Sequence, residues 1–298
     1  MSIAQPPMGA LPAAALVALL SPALAVAAPD SRHKPQTAAG CTLETVASGT
    51  VATVIDGRTF ALEDGREVRL PAIEIPPPPD PGPAPAAAPA TTDSPPPQPL
   101  ESDPNQAAAD ALKSLLAGRP VALRASKLVT DRYGRIVADA LATRDGYPGS
   151  ALKTLLSQGL ARLSSLPGEP GCLSEWRAAE RVGRAAKLGL WGDPRYTPKP
   201  AENLAQLAAE RGRFTLVEGK VVSVRESGGT IYVNFGRRWS EDFTVTILKR
   251  NERQFIDAGL RPSGLSGRRV MVRGWIEERG GPWIEATGPE QIEIIAEK

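Results

Sequence analysis

The residues best suited to chemistry lie in Val54-Ile55-Asp56-Gly57-Arg58-Thr59-Phe60, an acidic turn interrupted by an arginine, with a second arginine following in Val68-Arg69-Leu70. A guanidinium presents a planar fork that suits phosphate oxygens, and a carboxylate in a tight turn suits a hard cation. The stretch reads either as a phosphate-handling loop or as a metal-binding turn that has lost its metal. Histidine chemistry is excluded, because the one histidine, His33, falls in an N-terminal tail. That removes Ser-His-Asp triads, histidine metal sites and histidine general bases.

The chain has 298 residues, with 35 Lys and Arg against 33 Asp and Glu. A net charge of +2 gives no overall basic field, so any polyanion site must be local. Length and proline punctuation predict two compact units. An uncharged apolar run from Leu11 to Leu20 leads to the small-residue stretch Ala23 to Ala28. It is read as a signal peptide over residues 1–28, with residues 29–42 as a mature tail and a periplasmic or secreted destination. An uncleaved anchor is the alternative, since no Lys or Arg precedes the run. It is short and rich in Pro and Ala, so the mature form is expected to have no membrane span. The two cysteines, Cys41 and Cys172, are either bridged, as an even pair in an exported chain favours, or two half-buried thiols.

The elements that must position Asp56 and the arginines read as a β-meander. Thr42 to Leu62 alternates as strand, Glu63-Asp64-Gly65-Arg66 is a tight turn, and Glu67 to Ile75 returns. A Pro-rich insertion over about 76–105 is too rich in Pro and Ala for helix or sheet. Helical spacing then spans 106–117, strands 120–125 and 135–141, and helices 150–163 and 173–188. After a linker and short helix over 193–211, strands resume at Phe214 and run in the order three strands, a helix, two strands, as in an OB-type barrel. The expectation is an α+β fold with a first unit over 43–192 and a smaller OB-like barrel over 212–298.

Val54-Ile55-Asp56-Gly57-Arg58-Thr59, Val68-Arg69-Leu70, Ile73-Glu74-Ile75-Pro76, Asp131-Arg132-Tyr133-Gly134-Arg135 and Gly189-Leu190-Trp191, in that order, resemble the staphylococcal nuclease (thermonuclease) family. The resemblance implies an OB-type barrel flanked by helices and a calcium-dependent phosphodiesterase acting on DNA and RNA. Such a reaction needs a cation held by carboxylates, a base and guanidinium groups on the phosphorane. The resemblance maps metal carboxylates to Asp56 and Glu74 and phosphate-binding arginines to Arg69 and Arg135. It also exposes departures. Arg58 stands where the family has a third-position metal carboxylate, Ile75 where it has threonine, and Pro77 where it has the glutamate base.

Those departures predict a catalytically impaired domain with no cofactor, with Ca²⁺ only if residual nuclease activity persists. Arg58 is expected either as a solvated turn residue or in an ion pair with Glu74. Arg69 and Arg135 are expected either to bind anions or to pair structurally, whereas Tyr133 and Trp191 are read as packing residues. In the C-terminal segment, which is similar to extensions of exported thermonuclease-like proteins, aromatics alternate with arginines as in single-strand-binding OB folds. Asn234, Phe235, Arg237, Arg238 and Trp239 are its candidate nucleic-acid contacts. The functional expectation is a binding module for single-stranded nucleic acid, another polyanion or a protein. A weak calcium-dependent phosphodiesterase is one alternative. Another is a structural envelope protein whose Pro-rich loop docks a partner.

Overall fold

One long bent strand organises the first half of the molecule. In the computed structural model, which describes residues 1–2, 41–78, 103–144, 147–164, 170–238 and 240–295, this strand is β1 (Glu44–Asp56). Its N-terminal part pairs with one neighbour and its C-terminal part with another, and its register shifts at Thr45/Ala47, Val51/Thr53 and Val54/Asp56. Such irregularities increase twist and re-aim side chains. The signal peptide, the tail to Gly40 and most of the Pro-rich insertion lie outside the described residues.

After β1 come β2 (Thr59–Leu62), β3 (Glu67–Arg69), β4 (Ile73–Glu74), α1 (Pro104–Leu116), β5 (Pro120–Ala125), β6 (Ile136–Val137), β7 (Asp139–Arg144), β8 (Tyr147–Ser150), α2 (Ala151–Ser157), β9 (Arg162–Leu163) and α3 (Leu173–Ala185). Seven strands form one sheet in the order β6-β3-β2-β1-β5-β7-β8, and β4 pairs with β9. Helix α1 starts where Asp103 accepts the Asn105 N–H at 2.9 Å, and it buries Ala108, Leu112 and Leu116 along one stripe. Helix α2 starts at Ser150, whose Oγ accepts the Lys153 N–H. It ends earlier than its apolar spacing suggests: Gly159 takes φ 69°, and Arg162–Leu163 leaves the expected helix to pair with Ile73–Glu74. Gly183 lets α3 approach α2, since a Cβ there would lie 2.7 Å from the Leu156 carbonyl oxygen.

The second half comprises β10 (Lys199–Pro200), α4 (Leu204–Ala209), β11 (Phe214–Lys220), β12 (Ser223–Ser227), β13 (Thr230–Asn234), β14 (Thr244–Leu248), α5 (Glu252–Asp257), β15 (Arg269–Trp275), β16 (Glu277–Arg279), β17 (Gly281–Glu285) and β18 (Ile292–Ile294). They form a four-stranded sheet, β10-β11-β15-β18, and a five-stranded sheet, β12-β13-β14-β17-β16. The fold is therefore α+β with mixed sheets, and none of these sheets closes on itself. The segment expected as a linker is packed into it, with β10 parallel to β11 and Leu207 fully buried.

Residues 41–295 belong to one compact unit, Ala38–Lys298. It contains one hydrophobic cluster drawn from Leu43 to Trp176 and another from Ala201 to Ile292. Between them Trp191 packs on Leu216 and Met271. Cys41 and Cys172 are bridged and close a separation of 131 residues. In the chain-entropy model that link is worth about 5 kcal/mol. Among the described residues no helix is long and apolar enough to cross a membrane.

Candidate functional site

The turn between β1 and β2 is fixed from three sides. The Asp56 Oδ1 accepts the Arg58 backbone N–H at 2.8 Å, and Gly57 donates its N–H to Asn105 Oδ1 at the start of α1. No side chain fits at Gly57, because a Cβ would come within 2.6 Å of Ile75 and 2.7 Å of Ala108. Ile75, in the place expected for threonine, is buried in that contact. The Arg58 side chain leaves this turn toward β4. Its Nη1 lies 2.9 Å from Glu74 Oε2 and 3.2 Å from the Ile73 carbonyl.

That geometry tests the residues against a calcium ion. Ca²⁺ takes six to eight oxygen ligands. Here one carboxylate, Glu74, is bonded to a guanidinium, and the other, Asp56, holds its own turn. Among the described residues no three His, Cys, Asp or Glu side chains are grouped to hold a metal. The residues present do not fit calcium. Nor does Pro77 offer a proton acceptor on its side chain; its carbonyl faces the Tyr196 hydroxyl at 3.4 Å.

The two arginines expected on phosphate differ. Arg135 is paired with Asp131, Nη2 to Oδ2 at 2.7 Å and Nε to Oδ2 at 2.8 Å. Asp131 also accepts the N–H groups of Tyr133 and Arg135, so it shapes the loop as well as neutralising the arginine. Burial pushes the Asp131 carboxyl up, but these hydrogen bonds outweigh it and hold it below its usual value. Arg69, by contrast, makes no side-chain hydrogen bond or ion pair among the described residues. Burial weakens its hold on its proton, and the nearby charges of Arg58 and Arg135 weaken it further. The charges of Asp56 and Glu74 oppose that only in part, and a half-buried guanidinium with no direct partner near two others is an anion-attracting arrangement. Tyr133 is exposed, not packed as expected. Its ring lies 4.8 Å from the Arg132 guanidinium carbon and 4.9 Å from that of Arg135. Trp191 is buried.

Residues 87–193 match the family model of the staphylococcal nuclease homologues. The match supports assigning this part of the chain to that family. The match includes Asp131, Tyr133 and Arg135 and begins after Arg58, Arg69 and Glu74. Hydrogen bonding joins the two segments, since β5 from the matched range pairs with β1. A nuclease-homologue domain implies an OB-type barrel. No curated protein matches the chain.

In the second half the expected contacts separate by burial. Asn234 is buried and binds Ser223 and Thr244, and Phe235 packs against Phe243, so neither presents its side chain to a ligand at the surface. Arg237 and Arg238 are exposed, the latter paired with Glu241 at 2.9 Å. Trp239 lies outside the described residues.

Sequence reasoning missed the polar seam between the halves. Helix α3 sends Glu180 to Arg273 of β15 in a two-pronged pair at 2.9 Å on each side, with both side chains buried. Arg184 grips Glu293, and Arg177 donates to the carbonyls of Pro289, Glu290 and Ile292. Two signals were present: a carboxylate on the apolar stripe of α3 beside Trp176, and an arginine inside the apolar strand Val270-Met271-Val272-Arg273.

Proposed function

We propose that this chain is a nuclease-homologue protein that binds single-stranded nucleic acid without calcium-dependent cleavage, using Arg69 and the exposed Tyr133. The observation that carries this reading is the Arg58–Glu74 ion pair, which puts a cation where the family resemblance requires a metal carboxylate. Arg69 supplies an uncommitted guanidinium for a phosphate, and Tyr133 a ring face for a base. Loss of a general base alone costs about 10²- to 10⁴-fold in rate. With Pro77 in the base position and no grouped metal ligands among the described residues, binding is the capacity that the remaining residues support.

Two wider proposals accompany it. The protein acts outside the cytoplasm, a reading supported by the residue pattern at the N-terminus and by a disulfide that suits an oxidising compartment. The second half is an OB-like unit. Its support is the pairing order: β11 with β15, β12 with β13, β13 with β14, and β14 parallel to β17.

The test is fluorescence anisotropy with a labelled single-stranded oligonucleotide, run beside a cleavage assay. Wild type binds, and Arg69→Ala weakens binding and lowers the salt slope by about one. Calcium-stimulated cleavage that disappears in Arg135→Ala would sink the reading.

A further inference from the structure

A second basic site, which does not include Arg69, lies in a cleft of about 420 Å³ where Pro76 and Pro77 meet the segment 194–199 and the start of β11. Its cations are Arg162, Arg195, Lys199 and Arg213, and its one carboxylate is Glu210. Arg195 is neutralised by Asp193. That leaves three cations against one carboxylate, an excess of two positive charges.

Arg162 is the anchor of the argument. It is 4% exposed, its Nη2 donates to the Tyr196 carbonyl, and its buried Nε has no acceptor. Burial lowers its pKa to about 10, with Glu180 opposing the change. Glu180 is itself committed to Arg273. Lys199, also buried, donates to the Arg195 carbonyl at 2.8 Å and stands 4.0 Å from Glu210, which neutralises it only in part. Arg213 is half-buried and makes no side-chain hydrogen bond or ion pair among the described residues. A buried guanidinium with an orphaned donor carries a desolvation cost that an anionic ligand would offset. The rest of the wall combines Tyr196, Phe214, Leu216 and prolines with the polar Thr197, Gln206 and Thr215. A volume of this size suits a small organic molecule.

We propose that this cleft binds a small phosphate monoester with an apolar or aromatic body, the dianion facing Arg162, Lys199 and Arg213 and the body lying against Tyr196 and Phe214. A monoester carries close to two charges above its second pKa of about 6, equal to the excess in the cleft. The site stands on different residues from the Arg69 site and does not depend on it.

Phenyl phosphate and inorganic phosphate, titrated by calorimetry into the full chain at pH 7.5, test the assignment. Phenyl phosphate is expected to bind one to one and about tenfold tighter than phosphate. Arg213→Ala and Arg213→Glu, which remove no internal hydrogen bond of the guanidinium, are expected to weaken it by about tenfold or more. Arg69→Ala is expected to leave it unchanged. Absence of heat at millimolar phenyl phosphate would overturn the proposal. So would unchanged affinity in both Arg213 variants, or loss of binding in Arg69→Ala instead. Equal affinity for the two ligands would overturn the aromatic body.

Discussion

Arg58–Glu74 and Arg273–Glu180 join the same two side-chain types at the same 2.9 Å, yet they sit in different surroundings. The first pair is a single contact with 25% and 20% of its side chains exposed; the second is two-pronged, with 0% and 1% exposed. Solvent screens the first, so its stabilisation is small. The second is enclosed, so each charge depends on the other, on Glu293 at 3.6 Å from Arg273, and on Leu163, whose N–H donates to Glu180 and whose carbonyl accepts from Arg273. A partly exposed ion pair can be lost at little cost to the fold, whereas a buried one commits the fold to itself. Arg58–Glu74 ties the turn after β1 to β4, and Arg273–Glu180 joins α3 to β15.

The largest predicted effect follows from the buried pair. Glu180→Ala removes the two-pronged partner of Arg273, leaving only Glu293 at 3.6 Å, and is expected to destabilise the protein by about 3 kcal/mol, read as a shift of the urea midpoint. The double variant Glu180→Met/Arg273→Met separates a need for charge from a need for volume. Replacement of a buried pair by apolar side chains is often neutral or stabilising, so the double variant should recover most of the loss. If it is as unstable as Glu180→Ala, the seam depends on the ion pair itself.

Arg58→Ala should cost no more than about 1 kcal/mol by the same urea measurement, because the pair is partly solvated. A loss comparable to that of Glu180→Ala would erase the contrast between the two pairs. Smaller still is the effect of acid on the seam. Burial raises the Glu293 carboxyl, but the Arg184 hydrogen bonds outweigh it and leave it below its usual 4.5. A folded-state pKa below the unfolded one gives stability that is present above about 4.5 and lost as pH falls through the lowered folded value. Urea midpoints in wild type should therefore drop across that window, and Glu293→Gln should flatten the drop.

Much of this architecture was legible in the chain. Alternation placed the strands before Leu62, and helical spacing and Gly118 placed α1 and its end, whereas the expected three strands, helix and two strands are four strands, α5 and four strands, β11 to β18. The pairing of Arg58 in the Asp-Gly-Arg-Thr turn with Glu74 was one of two readings of that turn. Tertiary packing hid the rest. Nothing local distinguishes Arg69, which is uncommitted, from Arg135, which Asp131 holds in the same loop. Asn234 and Phe235 read as a binding face because aromatics and polar residues alternate there, but a small core claims them first. Arg162 was hidden in a helical pattern that Gly159 terminates. Its partners in the cleft come from a segment that composition marks only as a linker.

The claim that an arginine has replaced the metal in a nuclease-homologue domain is tested most directly by calcium calorimetry on the full chain. The account predicts no heat and no thermal shift at millimolar Ca²⁺. Saturable calcium binding in wild type that Glu74→Gln abolishes would contradict it.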